Sequence, residues 1–394
     1  MSSTKQLHYF QREGRCTAVA LPFSLETVVR DWSKLRFRMA RELPEAFSRE
    51  EWAYLITFLE AGSLQAVYTH NLGSPVTAAM AQVNTLARPR GPIAIWLPNN
   101  VSLLGPLVVV LLSLTGNPIR LKGGSQSENL TGVFLEYARQ HLSPGPLQTY
   151  LRDQVRLEIF EREDPRHREL AATAQMRIVF GSDAAAQAIH DLPHPIESIG
   201  FSFVDRRSEA WIEKGALNDG LLKDLLRVFA IYGQAGCTSP QRIVLLEATG
   251  AEVLGLRDRL IELWPLLFKA SPSLHVASAN IMARQWAAAL GWDAKLTPGH
   301  GALFAAGELT LPEFTATMGL RIVGGALDQV VAALPPNIQT VGYAFSEPHM
   351  THWLEVLADS AVRRLVPIER MHHFGPVWDG QPFWRQAFLE VEVQ

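Results

Sequence analysis

The sequence predicts an α/β fold with largely parallel sheets, arranged in two domains. Three observations point that way. From residue 91 onward, short apolar runs alternate with stretches of helical periodicity, the pattern of strand–helix–strand units. The 394 residues suit two domains better than one. With 47% hydrophobic and 19% charged residues, the chain can bury a sizeable core.

The first 85 residues read as mostly helical. Leu25 to Met39 places Val28, Val29, Trp32, Leu35 and Met39 at helical spacing. The same stretch carries Arg30, Lys34, Arg36 and Arg38, with Arg41 just beyond, a run expected to form a solvated face. Beyond residue 91 the predicted strands are Ile93–Leu97, Pro118–Leu121, Met176–Phe180, Ile199–Phe203, Arg242–Leu246, Leu320–Val323 and Ile338–Phe345. Val101 to Leu114 is the most apolar run. It contains Gly105 and Pro106 and falls short of the roughly 20 apolar residues of a membrane span, so a buried element is expected. A domain junction is placed near Phe203 to Arg207, where a strand runs into charged residues.

Composition excludes several classes. A net charge of −3 leaves no basic footprint for nucleic acid. Two cysteines, Cys16 and Cys237, make neither a disulfide scaffold nor a Cys-rich zinc site and suit a reducing compartment, hence the cytoplasm. Met1 to Gln11 is polar and does not read as a secretory leader. There is no Gly-x-Gly-x-x-Gly, no Walker-A loop and no Gly-x-Ser-x-Gly elbow. His349-x-x-His352 and His372-His373 lack the acidic or Cys partners of a zinc site, so no metal is expected and these histidines read as structural or surface residues.

Four short stretches are candidates for chemistry. Cys237 lies in Gly233-Gln234-Ala235-Gly236-Cys237-Thr238-Ser239-Pro240, between a helical repeat of leucines and the strand from Arg242. Glycines there let a ligand approach the backbone, and nearby amides or a cation would have to activate the thiol. A buried structural cysteine is the plainer alternative. Asn99-Asn100 follows a strand, where an Asn amide can donate to a developing oxyanion or simply make a turn. Lys122 stands at a strand end before Gly123-Gly124-Ser125, able to meet a ribose or phosphate, though an exposed lysine is the default. Gly181-Ser182 links a strand to a helix start, a cradle for pyrophosphate or an ordinary N-cap.

The order of these pieces resembles the aldehyde-dehydrogenase superfamily, and more closely the LuxC-type acyl-CoA reductases. The closer likeness rests on Asn99-Asn100-Val101 through Lys122, on Gln234-Ala235-Gly236-Cys237-Thr238-Ser239-Pro240-Gln241, and on Val366-Pro367-Ile368-Glu369-Arg370-Met371 through Trp378-Asp379-Gly380. Two positions depart from the bioluminescence enzymes: Gly233, where they tend to carry Asp, and Glu369, where they carry Gly. The resemblance implies an aldehyde-dehydrogenase-like fold. Residues 1–204 would hold the N-terminal helices and a Rossmann-like cofactor domain, 205–366 an α/β catalytic domain with Cys237, and 367–394 a C-terminal segment.

It also implies roles. Cys237 would be the acylated nucleophile, with Asn100, seconded by Asn99, joining its amide in the oxyanion hole. Lys122 would contact the ribose, and Gly181 and Ser182 the pyrophosphate. The reaction would take an acyl group from acyl-CoA or another acyl thioester and reduce it to an aldehyde. Where hydrolytic relatives carry a general-base Glu, this chain reads Gly200-Phe201-Ser202-Phe203-Val204, without the carboxylate that activates water. NAD-preferring relatives carry an acid three positions after the Lys. Ser125 here repels no 2′-phosphate, so NADPH is the expected cofactor. A homo-oligomer and an acyl-activating or acyl-carrier partner are further expectations. The alternatives are a Cys-dependent acyltransferase or thioesterase, which would need a histidine partner, and a non-catalytic subunit that kept the fold.

Overall fold

The computed structural model describes residues 5–125 and 129–393. The chain divides into two compact units, one made of residues up to Val204 together with those from Phe374 onward, the other of Asp205–His373. Strands are numbered along the chain.

The N-terminal region departs from the expectation of mostly helix. The helix Leu25–Met39 forms with the expected residues buried, and Ser24 caps it. But the region also contains β1 (Gln6–Arg12), β2 (Arg15–Leu21), β3 (Ser74–Val76) and β4 (Val83–Pro89). β1 and β2 form a hairpin whose register closes Arg12 on Arg15. The two linking residues, Glu13 (φ 51) and Gly14 (φ 78), both take the left-handed conformation that matches strand twist in a two-residue turn. These strands join β17 (Phe388–Glu392) in a sheet ordered β17-β4-β2-β1-β3, in which β17 runs antiparallel to β4. The helical run of Leu25–Met39 dominates the local pattern and hides the short strands beside it.

The second sheet of this unit is wholly parallel: β5 (Ile93–Trp96), β6 (Ile119–Gly123), β7 (Val155–Ile159), β8 (Met176–Gly181) and β9 (Ile199–Val204), ordered β7-β6-β5-β8-β9. The chain starts at β5, grows outward through β6 and β7, then returns to β8 on the other side. The order therefore reverses between β5 and β8. The carboxyl ends flanking that reversal are where open α/β sheets bind ligands. The apolar run is the buried helix Leu104–Ser113, directly after the Asn99-Asn100 turn. No described helix is long and apolar enough to cross a membrane.

The other unit holds one seven-stranded sheet of β10 (Arg207–Glu213), β11 (Pro240–Leu246), β12 (Asp293–Leu296), β13 (Leu303–Glu308), β14 (Gly319–Gly325), β15 (Ile338–Ala344) and β16 (Arg364–Pro367), ordered β12-β13-β14-β11-β10-β15-β16. All pairs are parallel except β12 with β13. Five strands of these two sheets lie outside the expected set: β7, β12, β13 and β16, which are short or carry polar residues, and β10, whose Arg207-Ser208-Glu209 reads as a polar junction. β10 is a buried central strand all the same. Glu209 pairs with Arg242 at 2.7 Å and accepts from Trp211 Nε1 at 2.9 Å, so its charge is compensated where it is buried.

Candidate functional site

The loop around Cys237 is built from its neighbours upward. The helix Asp219–Ala230 buries Leu222, Leu225, Leu226 and Phe229 on one face. It stops at Ala230, and three successive residues then turn left-handed: Tyr232 (φ 57), Gly233 (φ 56) and Gln234 (φ 62). Gly233 meets no steric penalty there, whereas Tyr232 and Gln234 do. The Gln234 carboxamide holds the turn in place. Its Nε2 donates to the carbonyls of Gly319 (2.7 Å) and Pro240 (3.1 Å), and its Oε1 accepts from Gly319 N (2.8 Å).

Cys237 follows, part-exposed, with Gly236, Thr238 and Ser239 buried around it. Ser239 N donates to Gly236 O, closing a turn over the cysteine. Ser208 Oγ, at the start of β10, donates to the Cys237 carbonyl at 2.7 Å. Thr238 Oγ1 lies 2.7 Å from His372 Nδ1, and His372 Nε2 lies 2.7 Å from Val228 O. A carbonyl only accepts, so Nε2 carries the ring proton and Nδ1 accepts from the Thr238 hydroxyl. Burial pushes the His372 pKa down to about 4, against the hydrogen bond to Val228 O, so the ring is neutral near pH 7. The Tyr232 ring meets the His372 ring edge-on at 5.6 Å.

In the first unit, Asn99 and Asn100 occupy an exposed bend beyond the end of β5. Gly181 ends β8, across the strand-order reversal from β5. Ser182 caps the helix Asp183–His190, its Oγ accepting from Ala185 N at 3.2 Å. Lys122 sits near the end of β6 with Nζ 5.8 Å from the centre of the Phe160 ring. Burial lowers its pKa, against the pull of Glu161. Arg166 lies over the same ring at 4.4 Å and pairs with Asp164 at 2.7 Å. Ser125 is half-buried after Gly124. A small pocket at these strand ends is lined by Leu97, Pro98, Gly123, Gly124, Leu157 and Ile159, among others. The Lys122 ammonium at one strand end and the capped helix N-terminus after Gly181 at another suit, in their chemistry, the ribose and pyrophosphate of a dinucleotide.

Thus Lys122, Ser125, Asn99, Asn100, Gly181 and Ser182 stand in one unit at the carboxyl-end loops of its parallel sheet, and Cys237 stands in the other. Three residues that anchor the Cys237 loop went unrecognised in the sequence: Ser208, Gln234 as a clamp, and His372. Nothing local marks the first and third, since their partners lie far along the chain. The His349 ring reaches Glu213 Oε1 at 2.9 Å, beside bonds from Ser346 and Trp353 to the same carboxylate. Among the described residues no cluster of His, Cys, Asp and Glu could hold a metal ion.

Comparison with solved structures places this fold. An aldehyde dehydrogenase from Bartonella henselae superposes with a TM-score of 0.61 at 12% identity, over 94% of this chain and 87% of that one. An NAD-dependent aldehyde dehydrogenase from Sinorhizobium meliloti gives 0.64 at 13% identity, over 94% and 82%. A succinic semialdehyde dehydrogenase from Streptococcus pyogenes, in complex with NADP+, gives 0.61 at 12% identity, over 87% and 82%. No curated protein matches the sequence significantly. The sequence profile of the acyl-CoA reductases (LuxC) matches residues 24–383. With an aldehyde-dehydrogenase fold and a family match across most of its length, the chain belongs to the LuxC acyl-CoA reductase family of oxidoreductases.

Proposed function

We propose that this protein reduces an acyl thioester to an aldehyde with NADPH, through a thioester on Cys237. The observation that carries the reading is the setting of Cys237: a part-exposed thiol on a loop whose backbone is pinned by Ser208, Gln234 and Thr238. A nucleophile needs reach and a fixed approach angle, and such a loop provides both.

The Cys237 thiolate attacks the acyl carbonyl and expels CoA as its thiolate, leaving the acyl group on sulfur. The Cys237 amide stabilises the developing oxyanion, and the resemblance gives Asn100, with Asn99 beside it, the second donor role. When bound, the nicotinamide supplies the hydride. The resulting thiohemiacetal collapses by breaking its C–S bond, which frees the aldehyde and returns the Cys237 thiolate. Lys122 would hold the ribose, and Gly181 and Ser182 the pyrophosphate. Gly200 to Val204 offers no carboxylate to activate water, so the acyl-enzyme is spared hydrolysis from that strand.

Ser125 favours NADPH, since a carboxylate there would repel a 2′-phosphate, and a solved neighbour of the same fold holds NADP+. The acyl group arrives on CoA or from an acyl-carrier or acyl-activating partner. The two cysteines, too few for a disulfide scaffold, suit a cytoplasmic setting, and a homo-oligomer is expected. An acyltransferase with a Cys–His pair finds less support. Both nitrogens of His372, a close neighbour of Cys237 through Thr238, are engaged by Thr238 and Val228.

Absorbance at 340 nm tests the reading, with NADPH and a series of acyl-CoAs, beside Cys237→Ala. Thioester-dependent loss of NADPH that vanishes in the variant supports it. Acylation of Cys237 without NADPH loss under any thioester overturns it in favour of acyl transfer.

A further inference from the structure

The His372-His373 pair in the C-terminal motif has no place in the chemistry above, yet His372 lies one residue's reach from the nucleophile. Its ring is buried and bonded at both ends, to the Thr238 hydroxyl and to the Val228 carbonyl. Its Cε1 also lies 3.8 Å from where a Cβ on Gly236 would stand. The ring therefore packs against both flanks of Cys237.

The peptide between Cys237 and Thr238 is trans, as are all among the described residues, so its carbonyl and its N–H point in opposite directions. Ser208 takes the carbonyl from one side. The Thr238 amide is thereby aimed to the other side, and the torsion of the peptide is set by whatever holds Thr238. That second hold is His372. Neither side chain needs to touch the substrate to decide how the peptide that carries the sulfur-bearing residue is turned.

We propose that His372 is a positioning residue for Cys237, acting through the Thr238 hydroxyl to fix the Cys237–Thr238 peptide and with it the approach of the sulfur to the reacting acyl group. The proposal rests on Cys237 being the acylated nucleophile. The ring needs an acceptor at Nδ1 and a proton at Nε2, so it works as a neutral imidazole, in contrast to the imidazolium of a Cys–His ion pair. Thr238 is equally specific: valine keeps its shape and removes the hydroxyl, whereas serine keeps the hydroxyl.

The test measures how fast Cys237 is acylated by an acyl-CoA and alkylated by iodoacetamide, both by peptide mass spectrometry. Cys16 is the internal control in the same protein, since it is 4% exposed and becomes reactive only on unfolding. Thr238→Val and His372→Phe are each expected to slow acylation about tenfold with KM for acyl-CoA within about twofold. Thr238→Ser and His372→Asn, whose amide oxygen can accept from Thr238, should recover most of the rate. The double variant Thr238→Val/His372→Phe should be no slower than either single one, as for two groups on one path. Wild-type acylation in Thr238→Val with Cys16 still protected would overturn the proposal, and so would additive losses in the double variant. If wild-type Cys237 takes no acyl group, the reductase reading fails by itself. Alkylation still reports on positioning in that case: an unchanged Cys237 rate in Thr238→Val overturns it, and a changed rate restored by serine sustains it.

Discussion

Ser208 Oγ donates to the carbonyl oxygen of Cys237 at 2.7 Å, from the second residue of a strand that pairs with the one following the cysteine. The bond fixes the backbone of the residue proposed to react, without touching its sulfur. Ser208→Ala should cost about 1 kcal/mol of stability, the net worth of one buried hydrogen bond. It should also slow acylation of Cys237 several-fold more than it weakens acyl-CoA binding. Urea denaturation beside single-turnover acylation measures both. A stability loss with unchanged acylation would show the bond to be structural only.

Gln234 makes three bonds from a strained left-handed residue, two of them to the backbone of Gly319. Gln234→Ala leaves those groups without their partner and should cost about 2–3 kcal/mol. Gln234→Glu keeps the acceptor for Gly319 N but turns the two donor bonds into contacts between a carboxylate and carbonyl oxygens. It should be no better than alanine. Thermal melts of the two variants decide this.

His372 makes stability depend on pH. An unfolded histidine titrates near pH 6.5, whereas burial holds this one near about 4 in the folded chain. Between those values the unfolded state binds more protons, so stability is full above about pH 6.5 and is lost as pH falls toward 4. From pH 7.5 to 5.5, the wild-type protein should lose about 1 kcal/mol more than His372→Asn. Equal urea-midpoint shifts in the two proteins would contradict this.

Ser125 is the position proposed to admit the 2′-phosphate. Ser125→Asp should lower kcat/KM for NADPH by about tenfold or more through charge repulsion, and leave NADH utilisation within about threefold. Steady-state kinetics with the two cofactors measures the ratio. An unchanged ratio would place cofactor selection elsewhere, for example at Lys122 and the Arg166–Phe160 face beside it.

Gly105 lies on the buried helix behind the Asn99-Asn100 bend. A Cβ there would stand 2.0 Å from Thr131 Oγ1 and 2.9 Å from Leu97 Cδ1. Gly105→Ala gains helix propensity but overpacks this contact, so it should destabilise by about 1–3 kcal/mol. Gly105→Ala/Thr131→Ser retains Oγ1 and should stay impaired, whereas Gly105→Ala/Thr131→Ala should regain much of the loss.

Much of this protein is legible along the chain. The helix Leu25–Met39, the strands β5, β6, β8, β9, β11, β14 and β15 and the buried apolar run after Val101 follow from the residue pattern, because burial imposes a repeat of 3.6 or 2 residues or a continuous apolar run, whereas β7, β12, β13 and β16 carry no such mark. The place of the Cys237 loop is legible as well, between the leucine repeat of the helix Asp219–Ala230 and the strand β11, although its left-handed turn also takes in Tyr232 and Gln234, which nothing local marks. Tertiary structure decided what has no local period. β10 looks like a charged junction until Arg242 and Trp211 compensate Glu209. β17 finds β4 from the far end of the sequence. Ser208 reaches Cys237 across 29 residues, and His372 reaches Thr238 across 134. A buried polar group is tolerated only with its partner present, and that partner is chosen by the fold rather than by sequence neighbours.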